Sequence, residues 1–74
     1  MAMPETEWLR MENLYETGVR LLLNGDEQGA LECFKDIYVI DYHFRDAAQI
    51  VEDAYSEPDW AAKHRARIRE RGAE

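Results

Sequence analysis

The chain has a single cysteine, Cys33, so no disulfide can form within it. It has two prolines, Pro4 and Pro58, and none interrupts residues 5–23. Its longest aliphatic run is Leu21-Leu22-Leu23, far short of the roughly 20 apolar residues that span a bilayer. The opening MAMPETEW lacks the basic start and the apolar stretch of a secretory signal. Together these absences lead us to expect a protein of a reducing, cytoplasmic compartment without a membrane segment. At 74 residues there is room for one domain. A domain of that size buries only about 60% of the surface its extended chain exposes. It needs close helix packing, a partner or self-association to be stable.

Basic residues are also scarce, but only in the body of the chain. Residues 1–62 carry 14 acidic and 4 basic side chains, whereas residues 63–74 carry 5 basic and 2 acidic. The formal net charge is −7. An acidic body repels phosphate backbones, which speaks against nucleic-acid binding by the domain as a whole.

What the sequence does have is helical periodicity. Pro4 suits a first helical turn, and Glu5 and Glu7 favour the positive end of a helix dipole. A long helix is expected over about residues 5–23. At 100° per residue, Trp8, Met11, Leu14, Tyr15, Gly18, Val19, Leu21, Leu22 and Leu23 fall within an arc of about 200°. Leu9 alone among the aliphatics lies outside it. One neighbour needs a stripe only about 100° wide, so this helix has apolar surface to spare. Asn24-Gly25-Asp26 ends it, with Gly25 suited to a left-handed helix end and Asp26 to the next N-cap.

A second helix is expected over about residues 27–40, with Ala30, Leu31, Phe34, Ile37 and Tyr38 facing inward. Small residues let helix backbones approach, which places the crossing of the two helices at Gly18 and Ala30. Asp41 to Phe44 reads as a short connection. A third helix follows over about residues 45–55, with Ala47, Ile50, Val51, Ala54 and Tyr55 as its stripe. Ser56 with Asp59 reads as a capping box, and Pro58 as part of a first turn. A fourth helix is expected over about residues 57–71, with Trp60, Ala61, His64 and Ile68 on its apolar side and residues 72–74 frayed.

The first two helices resemble a tetratricopeptide repeat, a helix–turn–helix unit of about 34 residues. Leu14, Gly18, Leu21, Gly25, Asp26, Ala30, Phe34 and Asp41 fall at that family's offsets, so the resemblance covers residues 11–44. Ile37 replaces the family's alanine late in the second helix, and Tyr42 stands where proline is usual. One period on, Ala48, Glu52, Tyr55 and Ile68 make residues 45–71 a degenerate repeat or a cap with a basic final helix. The resemblance implies an all-α scaffold that binds protein or peptide along its first helix. On that face lie Trp8, Glu12, Tyr15, Glu16, Val19, Leu22 and Leu23. Some members hold an acidic chain end there with lysine and asparagine. The matching Tyr15 and Val19 are apolar, so that clamp is not carried over. An apolar groove rimmed by Glu12 and Glu16 suits a hydrophobic or basic amphipathic segment.

No catalytic or metal-binding pattern competes with this. His43 sits in a turn between Asp41 and Asp46 without further ligands at a known spacing. Cys33 borders the second helix's stripe as a half-buried packing residue. No glycine-rich phosphate loop is present. The tail residues Lys63, Arg65, Arg67, Arg69 and Arg71 are expected to lie over the acidic body, their stems covering apolar surface. The sequence thus points to an all-α domain of three or four helices without cofactor or metal. Its expected role is non-enzymatic: binding a partner, or a second copy of itself, through the first helix. The alternative is an assembly component whose basic final helix contacts an acidic partner or nucleic acid.

Overall fold

The computed structural model describes residues 5–72. Four helices follow in order: α1 (Glu5–Leu23), α2 (Glu27–Ile40), α3 (Ala47–Ser56) and α4 (Trp60–Gly72). Strands are absent among the described residues, so the chain is an all-α domain. The expectations for Pro4 and for residues 73–74 lie outside the described residues. Gly72, expected in the frayed end, belongs to α4.

The turn between α1 and α2 forms for local reasons. Gly25 has φ +90°, a left-handed conformation that costs glycine little. That turn lets Gly25 N–H donate to the Leu22 carbonyl at 3.2 Å and Asp26 N–H donate to the Leu21 carbonyl at 2.9 Å. These are the two bonds that close a helix end on a left-handed residue. Asp26 then caps α2, its carboxylate accepting the Gly29 N–H at 3.0 Å.

Across the hairpin, the small residue of α1 meets a large one. A Cβ added at Gly18 would stand 2.9 Å from Phe34 Cζ and 3.2 Å from Cys33 Cβ. Gly18 is therefore needed because the Phe34 ring lies on its backbone. Phe34 and Cys33, rather than the expected Ala30, are the side chains nearest to it. Ala30 is buried in the same core as Met11, Leu22, Phe34 and Ile37.

The later helices begin further along than their periodicity suggests. Arg45, expected as the start of the third helix, has φ +48° and cannot join one. The turn it makes drives Phe44 into the core. α3 starts two residues later, with the Ile50 N–H bonded to the Asp46 carbonyl at 3.0 Å. Ser56 does not form the expected capping box. It is the last residue of α3, and its hydroxyl donates back to the Glu52 carbonyl at 2.9 Å. Pro58 lies in the turn before α4 rather than within the helix. Tyr55, expected in the core stripe, is 69% exposed.

Candidate functional site: an open groove along α1

Four aromatic side chains prepare the site. Tyr15 of α1 stands edge-on to Phe34, with ring centres 5.7 Å apart, and to Phe44 at 6.2 Å. Trp8, expected on the partner face, stands edge-on to Phe44, with ring centres 5.3 Å apart. Such edge-to-face pairs set a negative ring face against a positive ring edge, which fixes their orientation. The Tyr15 hydroxyl donates to Asp46 Oδ1 at 2.6 Å. Burial, and then this bond to a carboxylate, push the Tyr15 phenol up to about 12. Asp46 occupies the N-cap position of α3, yet its carboxylate makes no cap bond. It is turned instead toward Tyr15 and toward Arg71 of α4, whose Nη2 lies 3.4 Å from Oδ2.

Over this cluster lies a groove of about 440 Å3, lined by Glu12, Tyr15, Glu16, Val19, Arg20, Leu23 and Arg45. The structure thus brings together Glu12, Tyr15, Glu16, Val19 and Leu23 of the face expected on the first helix. Leu22 does not belong to that face. It is 0% exposed and part of the core, because α2 and α4 close over its side of α1. Trp8 is half exposed beside Phe44 but does not line the groove. Arg20 and Arg45 were absent from the expected face. The Arg45 guanidinium lies 5.2 Å from the Tyr15 ring centre and 5.4 Å from that of Phe44. It also reaches Glu12 at 3.7 Å. The rim therefore carries both signs of charge, not only the two glutamates. The left-handed turn that aims Arg45 has no signature in helical periodicity.

The basic helix is largely engaged within the molecule. Arg65 Nε donates to the Leu22 carbonyl at 2.9 Å, and its guanidinium lies 3.7 Å from Glu27. That carbonyl belongs to the negative end of α1, so a cation there is favourable. Lys63 pairs with Glu57 at 3.2 Å. Arg67 and Arg69 are exposed and make no ion pair among the described residues. Between α3 and α4, His64 Nε2 meets Asp53 Oδ2 at 2.6 Å, and Gln49 donates to the other carboxylate oxygen at 2.9 Å. His64 is 1% exposed and Asp53 6%. The bond from His64 holds the Asp53 carboxyl below its usual range, against the opposing effect of burial.

Asp53 was missed in the sequence, although a signal exists. It falls three residues after Ile50 on the apolar side of α3, and His64 falls on the apolar side of α4. A matched acid and imidazole on two facing stripes mark a buried pair.

The other candidate residues remain apart. His43 is exposed in its turn, where its backbone N–H donates to Asp41 Oδ1 at 3.0 Å. Cys33 is half-buried, and burial pushes its thiol up. Among the described residues, no three His, Cys, Asp or Glu side chains gather as metal ligands. No described helix is long and apolar enough to cross a membrane.

Fold and groove together define a small all-α domain with an amphipathic cleft on its first helix. Compared with models of known protein families, with curated proteins and with solved structures, the chain has no significant match.

Proposed function

We propose that this protein is a non-enzymatic interaction module that holds a protein or peptide partner in the groove along α1. The observation that carries this reading is the groove itself. Tyr15, Val19 and Leu23 form an apolar floor between charged rims, on a helix whose other side is already packed. A partner segment with an apolar face and mixed charge at its edges matches it; helix-in-groove recognition works in this way. The tetratricopeptide-like spacing of Leu14, Gly18, Leu21, Ala30 and Phe34 supports the same role, since scaffolds of that family bind along their first helices. A reducing, cytoplasmic setting goes with this reading, given one half-buried cysteine.

The assembly role for the basic helix has less support. Lys63, Arg65 and Arg71 are committed to contacts within the chain, which leaves Arg67 and Arg69 for a partner.

A selection of displayed amphipathic peptides against the immobilised protein tests the proposal. Binders should lose at least about tenfold in affinity on Val19→Glu, which places a charge on the groove floor. Arg69→Glu should leave them unchanged. Equal loss in both variants, or binders insensitive to Val19→Glu, would contradict the assignment.

A further inference from the structure

A second apolar face lies away from the α1 groove, between α2 and α3. Lys35, Tyr38 and Val39 of α2 and Val51, Glu52 and Tyr55 of α3 line a groove of about 440 Å3. Val39 is 83% exposed, and Tyr42 beside it is also exposed. Of the exposed large apolar side chains among the described residues, Val39, Tyr42 and Tyr55 gather on α2, α3 and the turn between them, whereas Trp8 and Leu9 lie on the first turns of α1. Bulky apolar side chains grouped in this way mark a contact surface rather than ordinary scatter.

We infer that this α2–α3 face is where two copies of the chain pair about a two-fold axis. The argument is charge. One cation and one anion stand at opposite ends of the groove on opposite helices. Lys35 Nζ lies over the Tyr55 ring at 5.9 Å from its centre, and Glu52 accepts the Tyr42 hydroxyl at 3.3 Å. A basic partner is repelled at Lys35 and an acidic one at Glu52. The face's own image satisfies both. A two-fold axis lying in the interface, perpendicular to the line from Lys35 to Glu52, places each lysine over the other copy's glutamate. Self-complementarity of this kind is what a two-fold interface requires. Glu32 and Asp36, whose charges also act on Lys35, lie outside the groove lining. The lining is thus balanced in a chain of net charge −7. Within that lining, two acidic molecules meet without opposing like charges. This interface is separate from the α1 groove, which stays open in the pair.

Sedimentation across a concentration series, with charge-swapped variants, tests the inference. Circular dichroism confirms that each variant keeps its helices. The wild-type chain should dimerise. Lys35→Glu and Glu52→Lys should each weaken the dimer at least about tenfold, because each swap opposes like charges in both halves of the interface. The double variant should recover to within about threefold of wild type, since the pairs are restored in reverse. Val19→Glu should have no effect.

A monomer at every concentration overturns the inference. So does a dimer that Val19→Glu dissociates and the swaps leave intact, which moves self-association to α1. Two weakened single variants without recovery in the double overturn the two-fold register. A monomer that crosslinks from position 39 to a different protein in cells assigns the face to that protein instead.

Discussion

The two seams of this molecule are closed by different forces. Between α1 and α2, Gly18 admits the Phe34 ring, and Met11, Leu22, Ala30 and Ile37 fill the space around it. Apolar burial and a capped turn do the holding there. α4 is fastened mainly through polar groups. His64 meets Asp53, Arg65 reaches the end of α1, and Arg71 reaches Asp46. Trp60 and Ala61 add the apolar part of that seam. The first seam should respond only weakly to pH and salt, whereas the second should respond to both. A domain of 74 residues with little apolar area to spend can close its last helix by charge, provided every buried partner is satisfied.

The largest effect is expected where that polar seam is broken from one side. His64→Ala leaves the Asp53 carboxylate buried without its main partner and should cost about 3 kcal/mol or more in denaturant unfolding. Replacing both members by leucine should regain most of that loss, because a matched apolar pair carries no desolvation penalty. Acid has a related effect. Asp53 is held below its ordinary value near 3.8. Its share of the stability is therefore full above that value and is lost as the pH falls below it. Thermal unfolding from pH 6 to pH 2 should show this loss in the wild type. In the doubly apolar variant the loss should be smaller.

Breaking the apolar seam comes next. Gly18→Ala sets a methyl group against the Phe34 ring and should cost about 1–3 kcal/mol by overpacking. That cost should not change with pH, which sharpens the contrast with His64. Arg65→Ala removes the bond to the Leu22 carbonyl and the Glu27 contact. It should cost about 1 kcal/mol, less in high salt, read from unfolding at two ionic strengths.

Tyr15 gives the smallest and most local signal. Its phenol, pushed up to about 12, stays protonated in the folded chain after an unfolded one has ionised. Stability should therefore decline as the pH rises from 10 through about 12. In an ultraviolet titration one of the four tyrosines should ionise later than the rest.

These seams also differ in how legible they were. The hairpin could be read closely from the sequence. Leu14, Leu21, Phe34 and Ile37 recur at helical spacing, and Gly25-Asp26 carries its own turn chemistry. The groove was legible through Tyr15, Val19 and Leu23, because the stripe on α1 is too wide for one neighbour. Leu22 lies in the same arc, but only tertiary packing decides which edge of a wide stripe α2 and α4 cover. The polar seam was half legible, because His64 reads on the apolar side of its helix whereas Asp53 looks solvent-facing alone. Asp53 counts as polar on α3, and only His64 on the facing helix accounts for its burial. Arg45 and Phe44 were hidden for a backbone reason. A left-handed residue that is not glycine leaves no trace in composition, yet it turns Phe44 inward and Arg45 across the groove.

The proposed function makes α1 the working face and leaves α4 a structural role. Photo-crosslinking in cells compares the two most directly, with a photoreactive residue at position 19 in one variant and at position 69 in another. The prediction is a discrete adduct from position 19 that Leu23→Glu abolishes, and none from position 69. Adducts from position 69 alone would contradict the claim and return the function to the basic helix.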